Sequence, residues 1–394
     1  MCKQRELDVS TARNARLPDL NANVSENLSF GRGLTSDNTY TNNTTNSTSL
    51  GLSTSIPLFT GMRIPHQTKL ARLNLDAATA DLEKAANDIS LQVAQYFMQA
   101  VYSKELAGVA QRQVEIDSIQ AERLKRMAEQ GKASVADVSQ QQAALAQSRL
   151  TLTQARNETG VALLELAQLL ELQYTADFDI VADNVSADAL GALVSAEDIY
   201  SQAVAVKPEI QAGLSRMKGA DENISIAKAA LYPQLALTGG VGTNYYKTSG
   251  LAADNFGKQL KNNFSPSISL SLSIPIFNRM QTRNSIRSAE YDRQNAELSL
   301  ENTRKTLYKE IQQVCFNTAA AQEKYRSSTA AAASARDAFS LMQAKYENGK
   351  ANITEFNEAK TQLMKAESEQ LQAMYELQYQ MRLIGFYTGK PIWQ

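Results

Sequence analysis

Four short stretches of this chain alternate between apolar and small polar residues, and two much longer ones repeat their apolar residues every seven positions. Leu20, Ala22, Val24, Leu28 and Phe30 alternate with Asn21, Asn23, Ser25, Asn27 and Ser29, and Leu50, Leu52, Thr54, Ile56 and Leu58 with Ser49, Gly51, Ser53 and Ser55. Further on, Leu235, Leu237, Val241 and Tyr245 share one face. Ile268, Leu270, Leu272, Ile274 and Ile276 then alternate with Ser267, Ser269, Ser271 and Ser273. Period two predicts strands with one apolar face and one Ser/Asn/Gly face. The segments between them, Asp37 to Ser47 and Lys247 to Asn263, are polar and predict solvent-exposed loops.

Each strand pair precedes a long helical pattern. Positions 280–348 contain neither Gly nor Pro, and a helix of that length spans about 100 Å. Ile311, Thr318, Tyr325, Ala332, Phe339 and Tyr346 keep a seven-residue spacing, as do Val138, Leu145, Leu152, Thr159 and Leu166. Such spacing predicts supercoiled, laterally packed helices. Gly131 and Gly349 fall where each long helix must reverse, a position that favours the left-handed conformation of glycine.

These patterns occur twice. Ser-Thr-Ser-Ile-Pro-Leu-Phe at 53–59 returns as Ser-Leu-Ser-Ile-Pro-Ile-Phe at 271–277, and Gln130-Gly131-Lys132-Ala133 as Asn348-Gly349-Lys350-Ala351, both 218 residues later. Leu17-Pro18-Asp19-Leu20 matches Tyr232-Pro233-Gln234-Leu235 at 215 residues. The chain is a tandem duplication in which each unit is a strand hairpin followed by a helical hairpin. Between the units, residues 173–207 are mixed and acidic, and Pro208 is suited to the first position of a helix running to Tyr232-Pro233.

Composition narrows the chemistry. Gly and Pro number only 18 and 8, and the net charge of −1 gives no reason to expect a nucleic-acid partner. Cys2 and Cys315 make no disulfide framework or zinc cluster; Cys315 is expected to pack, and Cys2 has no apolar stretch before it to suggest lipidation. His66 is expected to be structural. With no nucleophile elbow, phosphate loop or paired-histidine motif, the expectation is a protein that is not an enzyme, with no cofactor or metal site. No apolar run is long enough for a transmembrane helix, which leaves β-strands as the segments able to cross a bilayer.

Four strands cannot close a barrel, and an open sheet would leave unpaired edges in hydrocarbon. Two chains would supply eight strands around a lumen filled by side chains. Three would supply twelve, which suits a water-filled lumen lined by serine. The helices are too long and too polar for a bilayer and must project into aqueous space.

The order of elements resembles the TolC family of outer-membrane efflux proteins over nearly the whole chain. The resemblance rests on the doubled Ser-Ile-Pro-(Leu/Ile)-Phe strand ends, Lys207-Pro208-Glu209-Ile210, Leu231-Tyr232-Pro233-Gln234-Leu235 and the paired tip glycines. It implies a mainly α fold with transmembrane β: a tandem-duplicated protomer of a homotrimeric twelve-stranded β-barrel continued by a long periplasmic α-helical barrel. It further implies a place in outer-membrane lipid, with a periplasmic adaptor (membrane fusion) protein and an inner-membrane transporter as partners. The expected function is the exit duct of a tripartite pump conducting drugs or other toxic small molecules. A type I protein-secretion duct is the alternative within this class. A structural coiled-coil scaffold is the alternative outside it, though it leaves the strands unexplained.

The expected divisions are a partial first helix (1–16), β-hairpin 1 (17–59), helical hairpin 1 (60–172), a mixed equatorial region and helix (173–231), β-hairpin 2 (232–277), helical hairpin 2 (278–385) and an equatorial tail (386–394). By comparison with the family, the chain begins inside the first helix and lacks a signal peptide, which implies a truncated sequence. The resemblance also assigns residues. Gly131 and Lys132, with Gly349 and Lys350, match the tips where the adaptor docks. Glu355 and Glu358 match acidic rings that narrow the periplasmic entrance and favour cations, and Asp137 is a weaker echo in the first unit. Tyr346 matches a tyrosine that holds the entrance shut. The arginine that the family carries two residues after the tip glycine is Ala351 here. Tyr245, Tyr246 and Phe30, near strand ends, suit either an aromatic girdle or packing, and Pro391-Ile392-Trp393 is expected to pack in the equatorial region.

Overall fold

The computed structural model describes residues 2–34, 38–174, 177–181 and 195–393. Parts of the expected mixed region, 175–176 and 182–194, and Asp37 of the first expected loop lie outside the described residues. In chain order the elements are α1 (Cys2–Asn14), β1 (Asn21–Leu34), β2 (Tyr40–Phe59), α2 (Arg63–Glu129), α3 (Val135–Leu169), α4 (Ala196–Val206), α5 (Pro208–Ala229), β3 (Gln234–Thr248), α6 (Phe256–Asn262), β4 (Ser265–Ser273), α7 (Gln281–Glu347) and α8 (Ile353–Tyr387). No helix among the described residues is long and apolar enough to cross a membrane.

The duplication is carried in the backbone. The bounds of α7 and α8 are those of α2 and α3 moved by 218 residues. Left-handed positions repeat at the same interval: Gly61 with Arg279, Met62 with Met280, Gly131 with Gly349 and Glu171 with Gly389. The turn from each strand pair into each long helix therefore uses two successive left-handed residues, and glycine fills the first of them only in the first copy.

The chain divides into two compact units, Met1–Leu82 with Gln211–Glu301, and Glu83–Ile210 with Asn302–Gln394. The first holds an antiparallel four-stranded sheet in the order β1-β2-β3-β4. Directly paired residues share a face, so the register can be followed across the sheet in rows. Val24, Leu50 and Thr243 form one row, Ala22, Leu52, Val241 and Pro266 the next, then Thr54, Gly239 and Ile268, and then Ile56, Leu237 and Leu270. The rows that alternate with them include Ser25, Ser49 and Asn244, then Asn23, Gly51 and Gly242. The apolar face is open: Val24, Leu52, Ile268, Leu270 and Leu272 are all exposed. In the same unit His66 Nδ1 lies 2.5 Å from Glu222 Oε2, tying α2 to α5.

Two expectations for this unit need correction, and one open alternative narrows. The first expected loop is mostly strand, because the hairpin stays paired from Leu34 and Tyr40 downward. Residues 40–48 are Thr- and Asn-rich on both faces, so they form a strand without an apolar alternation to reveal it. The second expected loop contains α6, capped by Asn255, with Phe256 packed edge-on at 5.1 Å against Tyr245. Tyr245 and Phe30 share the apolar face, whereas Tyr246 pairs with Ser47 and points the other way, so these three cannot form one girdle.

In the second unit the seven-residue row of α7 is the seam: Ile311, Thr318, Ala332 and Phe339 are buried, with Tyr325 half-buried. Leu307, Val314, Ala321 and Ser328 form a second buried row. On α3 the expected row is only partly buried, and the tighter one is Gln141, Ser148, Ala155 and Ala162. Small and amide side chains let helices approach closely, so the deepest seam is not the most apolar one. α8 extends to Tyr387, past the expected start of the tail at 386; Ile392 beyond it is buried and Trp393 exposed.

Lys207, between α4 and α5, is buried with its ammonium 3.2 Å from the centre of the Phe386 ring. Burial pushes its pKa down to about 8, against the nearby carboxylates Glu209, Glu310 and Asp88. Between pH 8 and the ordinary lysine value of 10.5 the unfolded chain holds a proton that the folded chain has given up. Stability is therefore penalised below pH 8 and rises with pH across that window, although the ring face offsets part of the penalty. Thermal denaturation of wild type against Lys207→Met across pH 7–11 should show this rise in the wild type and its loss in the variant.

Candidate functional site at the hairpin ends

The reversals at Gly131 and Gly349 are built alike. Gly131 has φ of 69° and Gly349 of 68°. In each, the next residue's N–H returns to the helix, Lys132 to the Met127 carbonyl and Lys350 to the Lys345 carbonyl, both at 2.8 Å. These bonds satisfy carbonyls that a helix end would leave bare. A side chain at either glycine would meet nothing within 4 Å, so only the backbone angle demands glycine there. Lys132 and Lys350 are exposed beside them.

The next helices start with reciprocal caps. The Ser134 hydroxyl oxygen accepts the Asp137 N–H at 3.0 Å, and the Asp137 carboxylate accepts the Ser134 N–H and hydroxyl. The Asn352 side chain accepts the Glu355 N–H at 2.9 Å, and Glu355 Oε2 accepts the Asn352 N–H at 2.9 Å. Asp137 and Glu355 thus hold their own helix starts, a role worth about 1 kcal/mol each. Negative charge is also favoured at these N-termini. Glu358, one turn after Glu355, is exposed.

Tyr346 lies against a core. Its ring stacks on Phe356 at 4.9 Å, and Phe356, fully buried, also meets Phe339 at 5.5 Å. Leu124 and Ile353 complete the cluster. Burial pushes the Tyr346 hydroxyl pKa up, and Asp137 adds to the rise. A cavity of about 250 Å³, lined among others by Arg123, Asp137, Tyr346, Glu347 and Asn352, opens between the two reversals. It brings Tyr346 and Asp137 together, while Glu355 and Glu358 do not line it.

Sequence reasoning missed a buried polar cluster behind the tips. Lys360 of α8 donates to Oδ1 of Asp117 on α2 and, at 3.0 Å, to Asn357 Oδ1. Gln141 of α3 donates to the same Asp117 oxygen at 3.1 Å, and Gln113 to Oδ2 at 3.0 Å. The available signal was spacing. Lys360 follows the buried Ile353 by seven residues, and Asp117 precedes the buried Leu124 by seven, so both charges occupy seam positions. Among the described residues no group of three or more His, Cys, Asp or Glu is placed to hold a metal.

Known proteins resemble this chain. Outer membrane protein OprJ of Pseudomonas aeruginosa is 28% identical over 159 residues, 40% of this chain and 32% of OprJ. The probable outer membrane lipoprotein SilC of Salmonella typhimurium is 25% identical over 307 residues, 75% of this chain and 61% of SilC. The matches thus span less than two thirds of either relative's length. Cation efflux system protein CusC of Escherichia coli K12 is 26% identical over 362 residues, 88% of this chain and 73% of CusC. A crystal structure of CusC superposes with a TM-score of 0.81 at 19% identity, covering 99% of this chain and 87% of that one. The family described as outer membrane efflux protein matches residues 2–171 and 199–389, taking in both strand hairpins, both helical hairpins and both reversals. With its duplicated halves spanned almost completely by that match, the chain belongs to the outer membrane efflux protein family.

Proposed function

We propose that this chain is one of three subunits of an outer-membrane channel that carries small toxic compounds out of the cell. In this reading the strands stand in the membrane and the helices in the periplasm. The observation that carries the proposal is the sheet. Among the described residues β1 and β4 each keep one unpaired edge, the apolar face is uncovered except where α6 meets Tyr245, and the other face is mostly Ser, Asn and Gly. Hydrocarbon tolerates such a sheet only when its edges are closed. Three copies supply twelve strands with the apolar rows toward lipid and the polar rows toward water.

The dimensions support this. From Leu235 to Thr243 the apolar rows extend about 27 Å along the strand. For strands tilted about 40° that is about 20 Å of membrane depth, close to the band of known outer-membrane barrels. The row Glu26, Thr48 and Tyr245 brings a carboxylate onto this face on the hairpin side, and the next row holds Asn46 and Lys247 beside Leu28.

The hairpin ends serve as the periplasmic entrance. Tyr346, Asp137, Glu355 and Glu358 form its gate, and the exposed Gly131, Lys132, Gly349 and Lys350 present a surface for an adaptor that joins the channel to an inner-membrane transporter. Threefold repetition makes each acidic residue a ring that attracts cations. The efflux names of relatives such as CusC, with its cations, support an export role. Drugs and other organic toxicants remain the preferred cargo.

The native mass of protein extracted from outer membranes in mild detergent tests the assembly. Three chains support closure, whereas a monomer or dimer breaks the strand arithmetic. For the gate, Glu358→Gln and Glu355→Gln together are expected to reduce cation-over-anion selectivity in planar bilayers. Glu358→Gln alone should carry most of the change, because Glu358 is exposed whereas the Glu355 carboxylate is turned back to accept the Asn352 N–H. Unchanged selectivity removes both residues from the gate.

A further inference from the structure

We propose that the Asp117–Lys360 pair is a fixed pivot about which the hairpin ends swing apart, a contact that persists when the channel opens. The inference rests on the entrance reading above. It follows from the order in which the contacts between the two hairpins would yield.

Three kinds of contact occur along these ends. At the tip, Arg123 meets Glu347 at 3.8 Å with side chains 37% and 43% exposed, and Gln140 donates to Thr354 at 3.4 Å. These connect α2 to α7 and α3 to α8, and exposed pairs of this sort hold little. Next comes the aromatic trio of Phe339, Tyr346 and Phe356, which belongs wholly to α7 and α8. It zips the second hairpin to itself, and Leu124 of α2 packs on the same cluster, so this end moves as one piece and leaves Leu124 behind as it swings. Behind the trio lies the pair, with side chains 1% exposed for Asp117 and 7% for Lys360.

The pair differs from the tip contacts in kind. Both carboxylate oxygens are occupied, one by Lys360 and Gln141 and the other by Gln113, and Asn357 takes a further lysine hydrogen. Three helices, α2, α3 and α8, meet at a single carboxylate. Separating them would strand two buried charges, a far larger penalty than losing exposed pairs. The exposed links and the apolar contact of Leu124 therefore part first, and the buried charges stay together. Since Lys360 lies seven residues behind Ile353, the swinging segment is about two helical turns long, about 10 Å.

The test ties each level covalently. In a background of Cys2→Ser and Cys315→Ala, one variant carries Asp117→Cys with Lys360→Cys and another Arg123→Cys with Glu347→Cys. Each is bridged with a short bifunctional maleimide, checked by native mass and recorded in planar bilayers. The bridge at 117 and 360 should leave open-channel conductance at its unbridged level, and the bridge at 123 and 347 should abolish full openings. Loss of openings on bridging 117 to 360 would overturn the pivot, and so would unchanged openings with both bridges. If the first cysteine pair does not assemble, the charge-exchanged Asp117→Lys with Lys360→Asp takes its place. It should open and close as wild type, because a contact kept in both states does not bias the gate, and loss of gating in the exchanged protein overturns the proposal. Wild-type protein with no conductance overturns the channel reading itself, and the pivot with it.

Discussion

Gly61→Ala should be among the most damaging single-methyl additions in this chain, lowering stability by about 3 kcal/mol or more. Two effects combine. Gly61 has φ of 64°, a region that costs an L-residue about 1–2 kcal/mol. A β-carbon there would also lie 2.5 Å from the Ala229 carbonyl oxygen and 2.9 Å from the Tyr232 β-carbon. The first obstacle is backbone at the end of α5 and cannot rotate away. The duplicated position gives an internal control: Arg279 occupies the same left-handed place with φ of 56°, so Arg279→Gly should relieve strain, raising stability by about 0.5–1 kcal/mol. Thermal denaturation of both variants in detergent should shift the midpoints in opposite directions, with the alanine shift several times larger. Equal, small shifts would mean that the first turn can deform.

Lys360→Met alone is expected to cost about 3–5 kcal/mol, because it leaves the Asp117 carboxylate buried without its cation. Gln113 and Gln141 still donate to that carboxylate, which places the cost toward the lower end. Asp117→Asn combined with Lys360→Met removes both charges and keeps an acceptor for the two glutamines. It should recover most of the loss, since replacing a buried ion pair outright is often near neutral. Urea denaturation of the single and double variants gives the coupling as a double-mutant cycle. Additive losses would show that the pair is two independent packing residues.

Much of the architecture can be read directly from the residues. Ile268, Leu270 and Leu272 declare a strand face by themselves, and the Ile311-to-Phe339 row declares a helix seam. Gly131 and Gly349 mark reversals because glycine adopts their left-handed φ without the cost other residues bear. What stays hidden lacks local contrast or depends on distant partners. Residues 40–48 are polar on both faces, so their strand shows no period. α6 is held by Tyr245 and Phe256, a contact across a turn that no pattern announces. Glu26 interrupts the first alternation, and only the register shows it beside Thr48 and Tyr245, with Leu28 and Phe30 continuing the face beyond it. At the candidate site, the offset of Glu355 from its tip glycine marks the residue but not its capping bond. Asp117 and Lys360 are 243 residues apart in the chain, and on sequence each reads as an ordinary charge on a polar helix.

In the proposed assembly, the two strand edges that are bare among the described residues have a consequence for biogenesis. A freshly folded single copy exposes unpaired N–H and C=O groups on β1 and β4 next to a sticky apolar sheet, which is a template for any extended chain that drifts by. Self-encounter then competes with misassociation, and the competition turns on how long a copy waits alone. Slow secretion, keeping nascent copies scarce, would lengthen that wait, whereas an abundant unassembled pool would seed aggregates. Yield of the mature assembly should therefore peak at an intermediate synthesis rate, and carriers that mask strand edges in the periplasm should broaden that peak.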